Sequence, residues 1–184
     1  MDLPNKKYSI IYADPPWRYN NELNNNPKYG GKTYPTMTLE DIKHLPVKNI
    51  TNKDCALYLW ATMPKLPEAL EVIKSWGFRY INCGFNWVKL NPKGKGIYSG
   101  LGHWTNGNAE LCLFAKRGAP KRLAKNIKQI VMAPRSFHSK KPDEVRDHIV
   151  SLLGDIPRIE LFARQKVNGW DAWGDEITQN NPNI

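Results

Sequence analysis

An aspartate, two prolines and a tryptophan, Asp14-Pro15-Pro16-Trp17, stand directly behind the apolar run Tyr8-Ser9-Ile10-Ile11-Tyr12-Ala13. Proline fixes φ near about −65° and carries no backbone N–H, so Pro15 and Pro16 present carbonyls that accept hydrogen bonds and donate none. A carboxylate oxygen beside a proline carbonyl is a pair of acceptors suited to an NH2 group with two protons to donate. The exocyclic amine of a nucleobase is such a group, and Trp17 offers a flat apolar surface on which a base can stack.

Charge points to the same class of partner. Lys and Arg number 27 against 17 Asp and Glu, a formal charge of +10, and a field of that sign around a small protein draws polyanions. Lys116, Arg117, Lys121, Arg122, Lys125 and Lys128 fall in one stretch without an acid, a pattern able to follow a nucleic-acid backbone. Cys55, Cys83 and Cys112 are isolated and odd in number, which reads as core thiols in a reducing compartment. Neither they nor His44, His103, His138 and His148 show metal-ligand spacing, so no metal is expected. No signal peptide or membrane-length run is visible, and the chain reads as cytoplasmic, with no membrane contact.

The elements that must position these groups alternate along the chain. Residues 8–13 and 55–61 are strands, the second apolar throughout, as for a strand covered on both faces. Residues 18–35, rich in Asn, Tyr and Gly, form a long surface loop. Thr38 caps a short helix that runs to about His44. Pro64 opens a second helix, with Leu66, Leu70, Ile73 and Trp76 at helical spacing, and Gly77 closes it. Strands at 78–89, 110–115, 129–133 and 158–163 and a helix at 142–153 follow. Residues 91–108, with five glycines and two lysines, form a mobile basic loop between the first two of those strands. Glu160, inside the last strand, reads as a buried acceptor for a backbone or cofactor amide. Such alternation predicts one domain over residues 1–184, a mixed sheet flanked by helices, with a loose tail from residue 178. Ligands bind such sheets beyond the carboxyl ends of the strands, where Asp14 and Ala163 would share a crevice.

Several motifs stand in one order: Ala13-Asp14-Pro15-Pro16-Trp17, Tyr34-Pro35-Thr36-Met37, Leu57-Tyr58-Leu59-Trp60, Trp87-Val88-Lys89, Gly102-His103-Trp104, Lys141-Pro142-Asp143-Glu144 and Ile159-Glu160-Leu161-Phe162-Ala163-Arg164. On these residues the chain, from about Tyr8 to Ile177, resembles the DPPW-type adenine N-6 methyltransferases, the MT-A70-like family, and in size a small bacterial or phage member. The resemblance implies an α/β, Rossmann-like methyltransferase fold, circularly permuted in the beta-class order, with S-adenosylmethionine as methyl donor. No long G-x-G-x-x-G occurs, as fits a cofactor without a pyrophosphate.

The resemblance also implies roles. Asp14, Pro15, Pro16 and Trp17 form the catalytic loop, and Asp14 is also a cofactor-binding residue. Lys141 contacts the cofactor's methionyl carboxylate, Phe162 and Arg164 line its pocket, and Asp175 or Glu176 reaches its ribose hydroxyls. The family often has Gly where Ala163 stands and an Asn-Gln pair where Asp175-Glu176 stands. Tyr34, Trp17 and Trp87 are candidates to clamp the target base, with Lys89 and Glu110 as polar groups of its pocket. The polymer is expected to be DNA, with RNA as the enzymatic alternative. A non-catalytic nucleic-acid-binding subunit and a small-molecule methyltransferase are the other readings. A homodimer would give 184 residues more surface on which to hold a duplex.

Overall fold

The computed structural model describes residues 2–19, 35–100, 102, 104–136 and 140–179. Seven strands, β1 (Tyr8–Ala13), β2 (Thr51–Ala61), β3 (Arg79–Leu90), β4 (Ala109–Arg117), β5 (Ile130–Pro134), β6 (Arg158–Leu161) and β7 (Asp171–Trp173), form one sheet in the order β5-β3-β4-β2-β1-β6-β7. β1 pairs parallel with β2 and β6, β6 with β7, and β3 with β5, whereas β4 is antiparallel to both β2 and β3. Among these seven described strands, β4 alone therefore runs against the rest.

Alternation along the strands sends side chains to two cores. Ile11 and Ala13 of β1 join Leu57 and Leu59 of β2 under α1 (Leu39–His44) and α2 (Leu66–Ser75). Ile10 and Tyr12 join Tyr58, Trp60, Phe85 and Trp87 under α3 (Glu144–Leu153). Thr38 caps α1, its hydroxyl accepting from the Asp41 amide at 3.2 Å. Trp76 closes α2 onto α1 by donating its Nε1–H to the Ile42 carbonyl at 2.8 Å. α3 is fastened to β6 by Arg146, which donates to both oxygens of Glu160 at 2.7 and 3.0 Å and to Asp143 at 2.6 Å. Glu160 is thus a buried acceptor, but a guanidinium occupies it rather than an amide.

The other departures have local causes. β2 starts at Thr51, ahead of the apolar run, because Thr51 already pairs with Tyr8. β6 stops at Leu161, since Phe162 turns to φ +60. β7, only three residues long, carries no apolar run to announce it. α4 (Asp175–Gln179) takes in Thr178, the first residue of the expected tail; residues 180–184 lie outside the described residues. Residues 91–108 carry antiparallel bridges Leu90↔Ile97 and Gly100↔Gly107, so the described part of this loop is a paired ribbon. No described helix is long and apolar enough to cross a membrane.

Candidate active site

β1 sits where the sheet changes direction of build: β2 lies on one side of it and β6 on the other. At such a switch the carboxyl ends of neighbouring strands part and leave a crevice. Asp14, the first residue beyond β1, stands in it.

The loop after Asp14 is held by its backbone. Pro15 O accepts from the Trp17 amide at 2.8 Å and Pro16 O from the Met37 amide at 3.0 Å. A carbonyl has two lone pairs, so each proline oxygen retains one. Trp17 donates its Nε1–H to Trp60 O at 3.1 Å and packs into the core below α1. The broad stacking face expected of it is mostly covered, since Trp17 is 7% exposed although it lines the cavity.

That cavity, of about 940 Å³, brings together three walls. Asp14, Pro15, Pro16 and Trp17 make the first. Phe162, Ala163, Arg164, Gly174, Asp175 and Glu176 make the second, from the turns after β6 and β7. Lys141, just ahead of α3, and Glu110, near the start of β4, make the third. Asp14 and Ala163 thus share the crevice. The second wall is shaped for close approach: a Cβ on Gly174 would lie 2.4 Å from Ala163 O, and Phe162 holds φ +60 with its ring edge-on to Trp173 at 5.5 Å. A bulky residue in the left-handed region is a genuine outlier and marks a place where the backbone is held for a purpose. Arg164 faces Glu176 at 3.6 Å.

The third wall is a line of alternating charges. Lys141 Nζ is 2.7 Å from Asp14 Oδ2 and 3.2 Å from Glu110 Oε2, and Lys89 Nζ is 2.5 Å from Glu110 Oε1. Lys141 also lies over the Trp60 ring at 5.5 Å. Burial lifts the Asp14 carboxyl above the ordinary aspartate value, against the pull of Lys141. Burial also acts on Glu110, but there Lys141 and Lys89 prevail and hold its carboxyl below the ordinary value. Lys141 is driven up despite burial, by Asp14 and Glu110, and stays charged.

Not every expected residue is here. Trp87 is 1% exposed, donates to Ala133 O at 2.9 Å and stacks edge-on against Trp60 at 6.4 Å. It shares the α3-side core with Phe85, two residues earlier on the same face, and does not clamp a base. Lys89 reaches the site only through Glu110. Tyr34 lies outside the described residues. The basic stretch is displaced further: β4 runs antiparallel, so Lys116 and Arg117 emerge at the end of the sheet opposite Asp14. Seven residues of strand separate Arg117 from Glu110, roughly 23 Å. Lys121, Arg122, Lys125 and Lys128 are exposed and follow from that far end, where the Leu123 amide bonds Leu152 O near the end of α3. These six cations do not border the crevice. Tyr19, which no motif singles out, does: it lines the cavity, and its hydroxyl lies 2.6 Å from Thr62 Oγ1. Its one signal in the sequence is an aromatic two residues beyond Trp17. Among the described residues no group of His, Cys, Asp and Glu could hold a metal ion.

The MT-A70 family model matches residues 8–176. The chain belongs to the MT-A70 family. MT-A70 relatives include the Type II methyltransferase M.MunI of Mycoplasma sp, 36% identical over 97% of this chain and 81% of that protein. The N(6)-adenosine-methyltransferase MT-A70-like protein of Drosophila melanogaster is 31% identical over 86% of this chain and 24% of its own length. The human N(6)-adenosine-methyltransferase catalytic subunit METTL3 is 30% identical over 86% of this chain and 26% of its own length. The chain therefore spans most of the first relative and about a quarter of the other two. Membership of a methyltransferase family implies a methyl donor.

Proposed function

We propose that this protein transfers a methyl group from S-adenosylmethionine to the exocyclic amine of adenine in nucleic acid, with DNA the preferred polymer. What supports the reading is that Asp14 and Pro15, consecutive in the chain, line the same cavity as Phe162, Asp175 and Glu176, whose groups suit a nucleoside. Pockets for small ligands hold roughly 300–1,000 Å³, and about 940 Å³ admits both a donor and a base. Gly174 lets the turn after β7 pack directly on the Phe162–Ala163 backbone, which draws Phe162, Asp175 and Glu176 to one wall for an adenosine. Asp175 and Glu176 are acceptors for ribose hydroxyls; Lys141 and Arg164 are cations for a methionyl carboxylate. When bound, S-adenosylmethionine supplies an electrophilic sulfonium methyl whose leaving group is a neutral thioether.

The protein's own part is to prepare the nucleophile. The amine of adenine is weakly nucleophilic because its lone pair is delocalised into the ring. Asp14 and the remaining lone pair of Pro15 O each accept one of its protons, which favours a pyramidal nitrogen and fixes the direction of its lone pair. Ionised Asp14 opposes the positive charge that develops on nitrogen, and Lys141 favours that ionised form. The surplus proton leaves to water, so no strong base is needed.

DNA is preferred because the relative of whose own length this chain covers 81% is a Type II methyltransferase. RNA is the second reading, favoured by the identity to N(6)-adenosine-methyltransferases. In this reading β1, with its catalytic loop, precedes β6 in the chain as a permuted order requires. The test is transfer of labelled methyl to matched duplex DNA, single-stranded DNA and RNA, followed by nucleoside analysis. Label in N-6-methyladenine from duplex DNA is expected. Label in another base, or only in free nucleosides, would overturn the reading.

A further inference from the structure

Six of the seven tryptophans are 9% exposed or less, whereas Trp104 is 99% exposed. Tryptophan is among the most buried residues on average, so an indole held wholly in water calls for a partner. Described residues on both sides of Trp104 are paired. Gly100 and Gly107 exchange backbone hydrogen bonds at 3.0 and 3.1 Å, and Tyr98 N donates to Lys89 O at 2.8 Å. A Cβ on Gly102 would lie 2.0 Å from Thr105 O, and one on Gly100 2.7 Å from Gly107 O, so the ribbon's glycines allow a close approach that other residues would block.

This ribbon is rooted in the active site. Its stems end at Lys89 and Glu110, which pair with each other, and Glu110 pairs with Lys141, which pairs with Asp14. Trp104 is six residues from Glu110 and so within about 20 Å of it. Lys93 and Lys95 are exposed, the guanidinium of exposed Arg135 lies over the Tyr98 ring at 4.3 Å, and residues 89–108 contain no acid.

Resting on the proposed activity, we infer that this ribbon grips the nucleic acid, Trp104 stacking on a base while Lys93, Lys95 and Arg135 take phosphates beside the crevice. The combination of an aromatic platform and a basic track is what single or locally opened strands bind. The stretch from Lys116 to Lys128, which leaves the far end of β4 and returns along the outer edge of the sheet to β5, does not share in this grip.

The test uses the full chain and fluorescence anisotropy with labelled duplex DNA, single-stranded DNA and RNA of one sequence. Trp104→Ala is expected to weaken binding to the preferred polymer by roughly five- to a hundredfold. Trp104→Phe should restore most of it, with the unfolding temperature of both variants unchanged. Lys93→Gln with Lys95→Gln should lower the slope of log affinity against log salt by about 0.9 for each phosphate left without its cation. Unchanged affinity of Trp104→Ala for all three polymers, or a wild-type chain that binds none, would overturn the inference. So would a larger loss of slope from Lys121→Gln with Lys125→Gln. Sedimentation showing that Trp104→Ala splits a dimer would assign the indole to a second copy instead. Trp104-dependent binding by a chain that transfers no methyl would uphold this surface and refute the activity. Transfer with KM unmoved in Trp104→Ala would do the reverse.

Discussion

Replacing Lys141 with Met removes the cation between Asp14 and Glu110, 2.7 and 3.2 Å from its ammonium. Breaking a buried pair by deleting one partner costs about 3–5 kcal/mol, because the other charge is left in low dielectric. Here the lower figure applies. Glu110 keeps Lys89 at 2.5 Å, and the Asp14 side chain is 23% exposed. A loss of about 3 kcal/mol in a chain of this size lowers the unfolding temperature by roughly 6–12 °C. The pH dependence carries the sign. In the wild type, Glu110 is held below its ordinary value, so its stabilisation is present above the unfolded pKa and is lost as pH falls through the folded one. In the variant, Asp14, already lifted by burial, loses the cation that pulled it down, while Glu110 keeps Lys89 but gives up the part of its stabilisation that came from Lys141. That penalty grows as pH rises through the folded pKa values and fades on acidification. Thermal unfolding followed by circular dichroism at about pH 7.5 and about pH 4.5 should therefore show the gap between variant and wild type narrowing at the lower pH. Asp14→Asn in the Lys141→Met background should recover part of the loss at neutral pH, giving a coupling above about 0.5 kcal/mol. A gap that does not change with pH, or Asp14→Asn merely adding its own effect, would refute the placement of Lys141 between the two carboxylates.

Arg146→Leu leaves Glu160 buried without its guanidinium and should cost about 3–5 kcal/mol, read from urea unfolding. Gly174→Ala forces a Cβ to within 2.4 Å of Ala163 O; titration calorimetry should show weaker S-adenosylmethionine binding, with a stability loss of about 1–3 kcal/mol. Phe162→Gly relieves a left-handed backbone worth about 1–2 kcal/mol while removing a pocket wall. Its unfolding temperature should move little as cofactor affinity falls.

Much of this fold is legible because its signals are local. The run ending at Ala13, the cap at Thr38 and the proline before Lys65 each state their element within a few residues, and the observed elements begin or end close to them. Asp14, Phe162 and Arg164 are legible as parts of ordered motifs. What stays hidden depends on direction and on partners distant in sequence. The antiparallel course of β4 carries the basic stretch away from the crevice, and no feature of residues 109–117 declares which way the strand runs. Trp17 follows a strand-like segment, whereas Trp87 lies within one. Only the packing of α3 shows that Trp87 is core. The bond from Lys141 to Asp14 joins residues 127 apart, so the charge line cannot be read from either neighbourhood alone. Trp104 stands in the glycine-rich stretch that the sequence marks as a loop, but its full exposure is a property of the folded surface.

The most direct measurement of the central claim is single-turnover methyl transfer by Asp14→Asn, with S-adenosylmethionine and an adenine-containing polymer both saturating. Asparagine keeps the shape of the side chain but replaces the charge and one acceptor with a donor, so the rate should fall on the order of a hundredfold or more while the fold persists. The unfolding temperature should be lower, because Lys141 loses the Asp14 charge and keeps that of Glu110. A variant that transfers methyl at the wild-type rate would contradict the account, since among the described residues no other carboxylate at the crevice stands beside a proline carbonyl to receive the amine.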